Sequence, residues 1–175
     1  MAQSETDRVY DELLVRLMQS GDRRAGERLA VRWQPRLIRT ARRLLRDDDA
    51  AMDAVQEAWA GIARGVGKLI DPARFPAWAF GILHRKCADR IRSVQRERRA
   101  EPLAAADPDA AEHLAILQAF DRLSDEHRAA ATLFFGEGLT LAEIAAATGV
   151  PIGTAKSRLF HARRHLKAVL SGDEL

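Results

Sequence analysis

At 175 residues the chain has room for one domain of ordinary size or two small ones, and 47% hydrophobic but only 6% aromatic residues imply a core of Ala, Leu, Val and Ile. The single Cys87 excludes an internal disulfide, and the N-terminal MAQSETDRVY lacks the apolar stretch of a signal peptide. No run approaches the ~18 apolar residues of a membrane span, so a reduced, cytoplasmic setting is expected.

Alternating strand patterns are nearly absent, and helix signals recur along the chain. YDELLVRLMQSGD reads as a helix ending near Gly21. RRAGERLAVRWQPRLIRTARRLL continues helically, with Leu29, Trp33, Leu37, Ala41 and Leu44 on one face and Pro35 expected to kink or divide it. DDDAAMDAVQEAWAGIARGV opens on acids suited to a helix N-terminus, with Met52, Val55 and Trp59 as its apolar stripe. GVGKLIDPARF reads as a loop, with Asp71 and Pro72 starting the next helix, which runs through FPAWAFGILHRKCADRIR to about Arg98. AEPLAAADPDAAE has the composition of a linker. It divides the chain into 1–99, a linker at 100–112, and 113–175. Beyond it, HLAILQAFDRL is helical, SDEHRAAATLFFGEG starts with Ser124 as N-cap, and two more helices finish the chain. The fold class is all-α: two small helical domains joined by a flexible linker.

Charge is distributed unevenly. His84–Arg99 holds seven Arg/Lys and two acids, Thr154–Leu170 five Arg/Lys and no acid, and Asp47–Glu57 five acids and no base. Two basic segments imply two places to meet a polyanion, and the acidic one a different partner.

TLAEIAAATGVPIGTAKSRL carries the most specific signal. Thr140 and Glu143 form a capping box, and Gly149 stands where a turn needs positive φ. Pro151 starts the second helix, whose buried stripe is Ala155, Leu159, Ala162 and Leu166. Two helices joined by such a turn make a helix-turn-helix, whose second helix enters the major groove. Gly153, Thr154, Lys156, Ser157 and Arg158 lie at its base-reading end, with Arg163 and Arg164 placed for phosphates.

On a helical wheel of FPAWAFGILHRKCADRIR, Phe80, Leu83, Cys87, Ile91 and Val94 form the core face. Arg85, Arg92, Arg96 and Arg99 form the opposite, basic stripe, and Trp78 falls in line with it. Geometry alone leaves two readings of Trp78: packing against the preceding loop or next helix, or a platform for an unstacked base beside phosphate-holding arginines. His84 and Cys87, three apart, fall short of a metal site, and no cofactor or catalytic constellation is evident.

LTLAEIAAATGVPIGTAKSRLFHAR resembles region 4 of the bacterial sigma factors of the extracytoplasmic-function group. DAVQEAW resembles region 2.2, and FPAWAFGILHRKCADRIRSVQRERR resembles regions 2.3 and 2.4, so the resemblance spans about residues 10–170. It implies an alternative sigma factor that binds core RNA polymerase, reads the −35 element with the helix-turn-helix and opens the −10 element with region 2. It further implies that Lys68 and Arg74 help pocket a flipped base, with Trp78, Arg85, Arg92 and Arg96 along the −10 strand. Asp53, Gln56 and Glu57 would meet the β′ clamp helices, region 4 the β flap, and an anti-sigma protein is an expected partner. The chain departs from the family at Gly81, where a larger residue is frequent. Two other readings stay open at this point: a self-sufficient helix-turn-helix regulator, and a sigma-like decoy for an anti-sigma protein.

Overall fold

The computed structural model describes residues 5–98 and 119–171. The expected linker at 100–112 and the first part of HLAILQAFDRL lie outside the described residues. Helix α1 spans Glu5–Gln19, α2 Arg23–Leu45, α3 Asp48–Gly65 and α4 Phe75–Arg98, with single 3₁₀ turns at Val66–Lys68 and Pro72–Arg74 before α4. Helix α5 spans Asp125–Ala131 and runs into a π-helical turn at Thr132–Gly136; α6 (Leu141–Thr148) and α7 (Ile152–Ser171) follow.

Local chemistry fixes the ends. Asp22 caps α2 by accepting from the Ala25 amide at 3.2 Å, and Asp47 caps α3 through the Ala50 amide at 2.8 Å. Gly21, at φ 94°, turns the chain between α1 and α2. Pro35 does not divide its helix: α2 is continuous. A proline costs the carbonyl four residues earlier its partner. That residue is Val31, 76% exposed, so the freed carbonyl lies on the side open to water.

The buried stripe of α2 is the expected one, Leu29, Trp33, Leu37, Ala41 and Leu44. In α3 the core residues are Ala51, Ala54, Val55, Ala58 and Ile62; Met52 is 46% exposed, outside the stripe expected for it. Trp33 anchors the bundle. Its ring meets Phe75 edge-on at 4.9 Å and Phe80 at 5.6 Å, and its indole N–H donates to buried Asp11 at 2.9 Å. Asp11 also accepts from Arg32 at 2.8 Å, so its buried charge is paired.

The two halves share a core. Ala129, Ala130, Leu133, Leu139, Ile144, Ala145, Ala147 and Ala155 belong to the same buried cluster as Leu29, Trp33, Phe80 and Leu83. A second, smaller cluster, Ala119, Leu123, Ala131, Ala162 and Leu166, holds α5 against α7.

Candidate nucleic-acid and polymerase interfaces

The helix-turn-helix forms as its sequence dictates. Thr140 accepts from the Glu143 amide at 3.3 Å, while the Glu143 carboxylate accepts from the Thr140 amide at 2.7 Å. Gly149 ends α6 at φ 71°, and the Val150 amide reaches back to the Ala145 carbonyl at 3.1 Å. Ile144 and Ala147 are buried in α6, and Ala155, Leu159, Ala162 and Leu166 in α7.

That packing turns Gly153, Thr154, Lys156 and Ser157 outward, all exposed, at the first turns of α7. Arg158 is half-buried and paired with Glu126 at 2.8 Å. Arg163 and Arg164 are exposed, and Arg163 lies over the Phe134 ring at 4.7 Å. The end of α7 therefore offers small, hydroxyl and cationic groups on one surface, suited to close approach to base edges and phosphates.

On α4 the core face holds Phe80, Leu83 and Cys87 fully, with Ile91 and Val94 half-buried. Burial pushes the Cys87 thiol up to about 12, which makes it an inert core group. Arg85, Arg92 and Arg96 are exposed on α4, Arg92 paired with Asp89 one turn away. Arg99 lies outside the described residues.

Trp78 differs from the wheel. It is half-buried and packed against the core cluster, 6.1 Å from Phe75. A Cβ at Gly65 would come within 3.0 Å of its ring. The wheel counts directions about the axis of α4 alone, and α3 ends at Gly65 beside the indole.

The loop between α3 and α4 carries exposed Lys68 and Arg74, with Arg74 3.4 Å from Asp71. Two residues there carried no assignment from the sequence. Gln19, at the end of α1, donates from one amide nitrogen to the carbonyls of Val66 at 2.9 Å and Leu69 at 2.7 Å. Ile70, next in line, is 99% exposed. Nothing in the sequence marks Gln19, because its partners lie 47 and 50 residues on. Ile70 had a signal: a lone apolar residue in a Gly- and Pro-bounded loop.

Asp53, Gln56 and Glu57 are exposed together on α3. They line an open groove of about 600 Å³ shared with Lys86, Arg90 and Arg96 of α4, and Lys86 pairs with Glu57 at 2.8 Å. No helix among the described residues is long and apolar enough to cross a membrane.

Comparison with known proteins accounts for both halves. Residues 29–97 match the family model Sigma-70 region 2, and residues 113–166 match Sigma-70, region 4. The chain belongs to the sigma-70 family of RNA polymerase sigma factors, and within it to the extracytoplasmic-function group. It is 33% identical over 156 residues to the ECF RNA polymerase sigma factor SigM of Mycobacterium tuberculosis, covering 86% of this chain and 80% of that one. Among solved structures it is similar to CnrH in complex with the cytosolic domain of CnrY, with TM-score 0.71, 26% identity, and 94% and 99% of the two chains covered. It is equally similar to the sigma factor RpoE in complex with the anti-sigma factor NepR from Bartonella quintana, with TM-score 0.71, 25% identity, and 85% and 98% covered. The chain is an alternative sigma factor that directs transcription; a free-standing helix-turn-helix regulator is not favoured.

Proposed function

We propose that the base-reading end of α7 enters the major groove at the −35 element, with Gly153, Thr154, Lys156, Ser157 and Arg158 at base edges and Arg163 and Arg164 on phosphates. The observation that carries this reading is the division of α7: Ala155 and Leu159 are buried while Gly153, Thr154, Lys156 and Ser157 are exposed. Region 2, taken as residues 1–99, holds the opened −10 strand along Arg85, Arg92 and Arg96, with Lys68 and Arg74 at an extruded base and the accessible part of Trp78 as a stacking surface. Residues 100–112 connect it to region 4 at 113–175.

Asp53, Gln56 and Glu57 dock on the clamp helices of the polymerase β′ subunit, where an acidic and amide-bearing surface meets a basic coiled coil. Region 4 meets the β flap. The chain has no chemistry of its own and works in the cytoplasm, where polymerase does. The solved complexes of similar sigma factors support an anti-sigma protein as a further partner.

Run-off transcription with core polymerase, with and without the protein, is the test. Specific initiation that depends on the protein is expected; its absence on promoters mapped after overexpression would refute the reading.

A further inference from the structure

Helix α1 braces the loop between α3 and α4 from outside the segment that the region 2 family model covers. That model begins at residue 29, whereas α1 ends at Gln19. The helix packs against both 3₁₀ turns of the loop. A cavity of about 90 Å³, lined by Arg8 and Glu12 of α1 and by Pro72 and Ala73 of the second turn among others, marks one end of this contact. Gln19 makes the other.

Left to itself the loop has little to order it. Of residues 67–71 only Leu69 is half-buried, and Gly67, Lys68, Ile70 and Asp71 are exposed. Ordering five such residues is entropically costly, and one half-buried leucine offsets little of that cost. A single backbone bond closes the first turn, from the Leu69 amide to the Val66 carbonyl at 3.1 Å.

Gln19 supplies what is missing. Its nitrogen Nε2 donates to the same Val66 carbonyl at 2.9 Å and to the Leu69 carbonyl at 2.7 Å. Both partners only accept, so the amide nitrogen, with its two hydrogens, is the end that faces them. A peptide unit is planar. Fixing the Leu69 carbonyl therefore fixes the plane that carries the Ile70 amide, and with it the direction in which Ile70 leaves the surface. The Ile70 side chain is 99% exposed. Lys68 stands between the two held carbonyls, and Arg74 follows beyond Pro72. An exposed apolar side chain flanked in sequence by cations offers an unstacked base a surface and its phosphates their partners.

We propose that Gln19 is a positioning residue for −10 recognition: its two bonds hold the loop so that Ile70 and Lys68 meet the extruded base at a fixed place. The positioning role rests on the assignment of this loop to an extruded base; the brace itself does not. A loosened loop still offers the same groups, so binding survives, but correct and incorrect bases are then met alike. The loss is one of discrimination, with affinity for polymerase kept.

Variants of the full chain test this. Gln19→Met keeps the length and Gln19→Glu the shape, and neither can donate to two carbonyls; Gln19→Lys keeps a donor of similar reach. Thermolysin, which cuts ahead of Leu and Ile, reads the brace. Nicking at Leu69 and Ile70, identified by fragment mass, should be about tenfold faster in Gln19→Met and Gln19→Glu and close to the unaltered rate in Gln19→Lys. Competition between promoters, with core polymerase present, reads the positioning. Preference for the best base should fall about tenfold at one −10 position in Gln19→Met and Gln19→Glu. Preferences at the −35 element should hold, and Gln19→Lys should restore the −10 preference. Unchanged nicking in Gln19→Met and Gln19→Glu overturns the brace. Faster nicking with a loss spread evenly over −10 and −35 substitutions makes Gln19 a purely structural residue and overturns positioning. Ile70→Ser and Lys68→Ala identify the cause of an unchanged −10 preference. If they lower it while Gln19→Met does not, positioning fails. If they too leave it unchanged, the assignment of the loop to a base falls, positioning falls with it, and the brace stands.

Discussion

Gln19 shows how much one amide can fix. Its nitrogen holds the loop at the carbonyls of Val66 and Leu69, immediately before fully exposed Ile70. Gln19→Met keeps the length and loses both bonds, at roughly 1 kcal/mol each. It should lower the urea midpoint modestly. It should also lower discrimination among −10 base substitutions by about tenfold while leaving −35 recognition unchanged; competition between promoter variants reads this. Lys156→Ala should do the converse, weakening −35 binding by ~1–3 kcal/mol if the contact is to a base. Loss that is uniform across −35 sequences would instead assign Lys156 to phosphate. The contrast between these residues marks what a sequence can say. Lys156 is legible because a capping box, a glycine turn and a buried stripe fix which way it faces. Trp78 kept two readings because its neighbour, Gly65, belongs to another helix and left no periodic trace.

Among the elements, α6 depends most on its first turn. It spans only Leu141–Thr148, so the two reciprocal bonds of the capping box secure a large share of its end groups. Thr140→Ala should cost about 1 kcal/mol, read as a fall in thermal midpoint. Helix ends of this kind were readable from the sequence: Asp47, Asp71, Ser124 and Thr140 cap as their residue type prefers, while Asp22, which caps α2 in the same way, carried no reading. Pro35 was not, because whether a proline breaks a helix depends on where the freed carbonyl points. In α2 it belongs to an exposed residue, and the helix survives. The π-helical turn at Thr132–Gly136 was also invisible. It positions Glu137, whose partners on α2 lie 97 and 101 residues away.

At the scale of the whole molecule, His84 makes the folded protein sensitive to pH. Burial lowers its pKa below the ordinary 6.5, helped by the charges of Arg158, Arg85 and Arg92. The folded protein therefore favours neutral His84, and unfolding takes up a proton between the lowered value and 6.5. The contribution is fully present above about pH 6.5 and falls as the pH drops through that window. His127, beside His161, shifts in the same direction. His84→Gln should flatten the acid limb of the stability profile in part, leaving the share of His127; an unchanged profile would remove His84 from the account. The arrangement of the halves had no signal in the sequence. The all-α class, the two helical units and their charges are local properties, whereas the shared core joins residues that no spacing relates.

That shared core also has a timetable. Translation finishes α4 at Arg98, 50 residues before α6 ends at Thr148. At ~5–20 residues per second the ribosome needs about 2.5 to 10 s to supply them. During that interval Gly81 on α4, against which Ala147 of α6 packs, and Arg36 and Thr40 on α2, which hold the Glu137 carboxylate, stand bare on a nascent chain. Nascent region 2 is then the form most open to chaperones, and to any helix able to occupy the place reserved for α6.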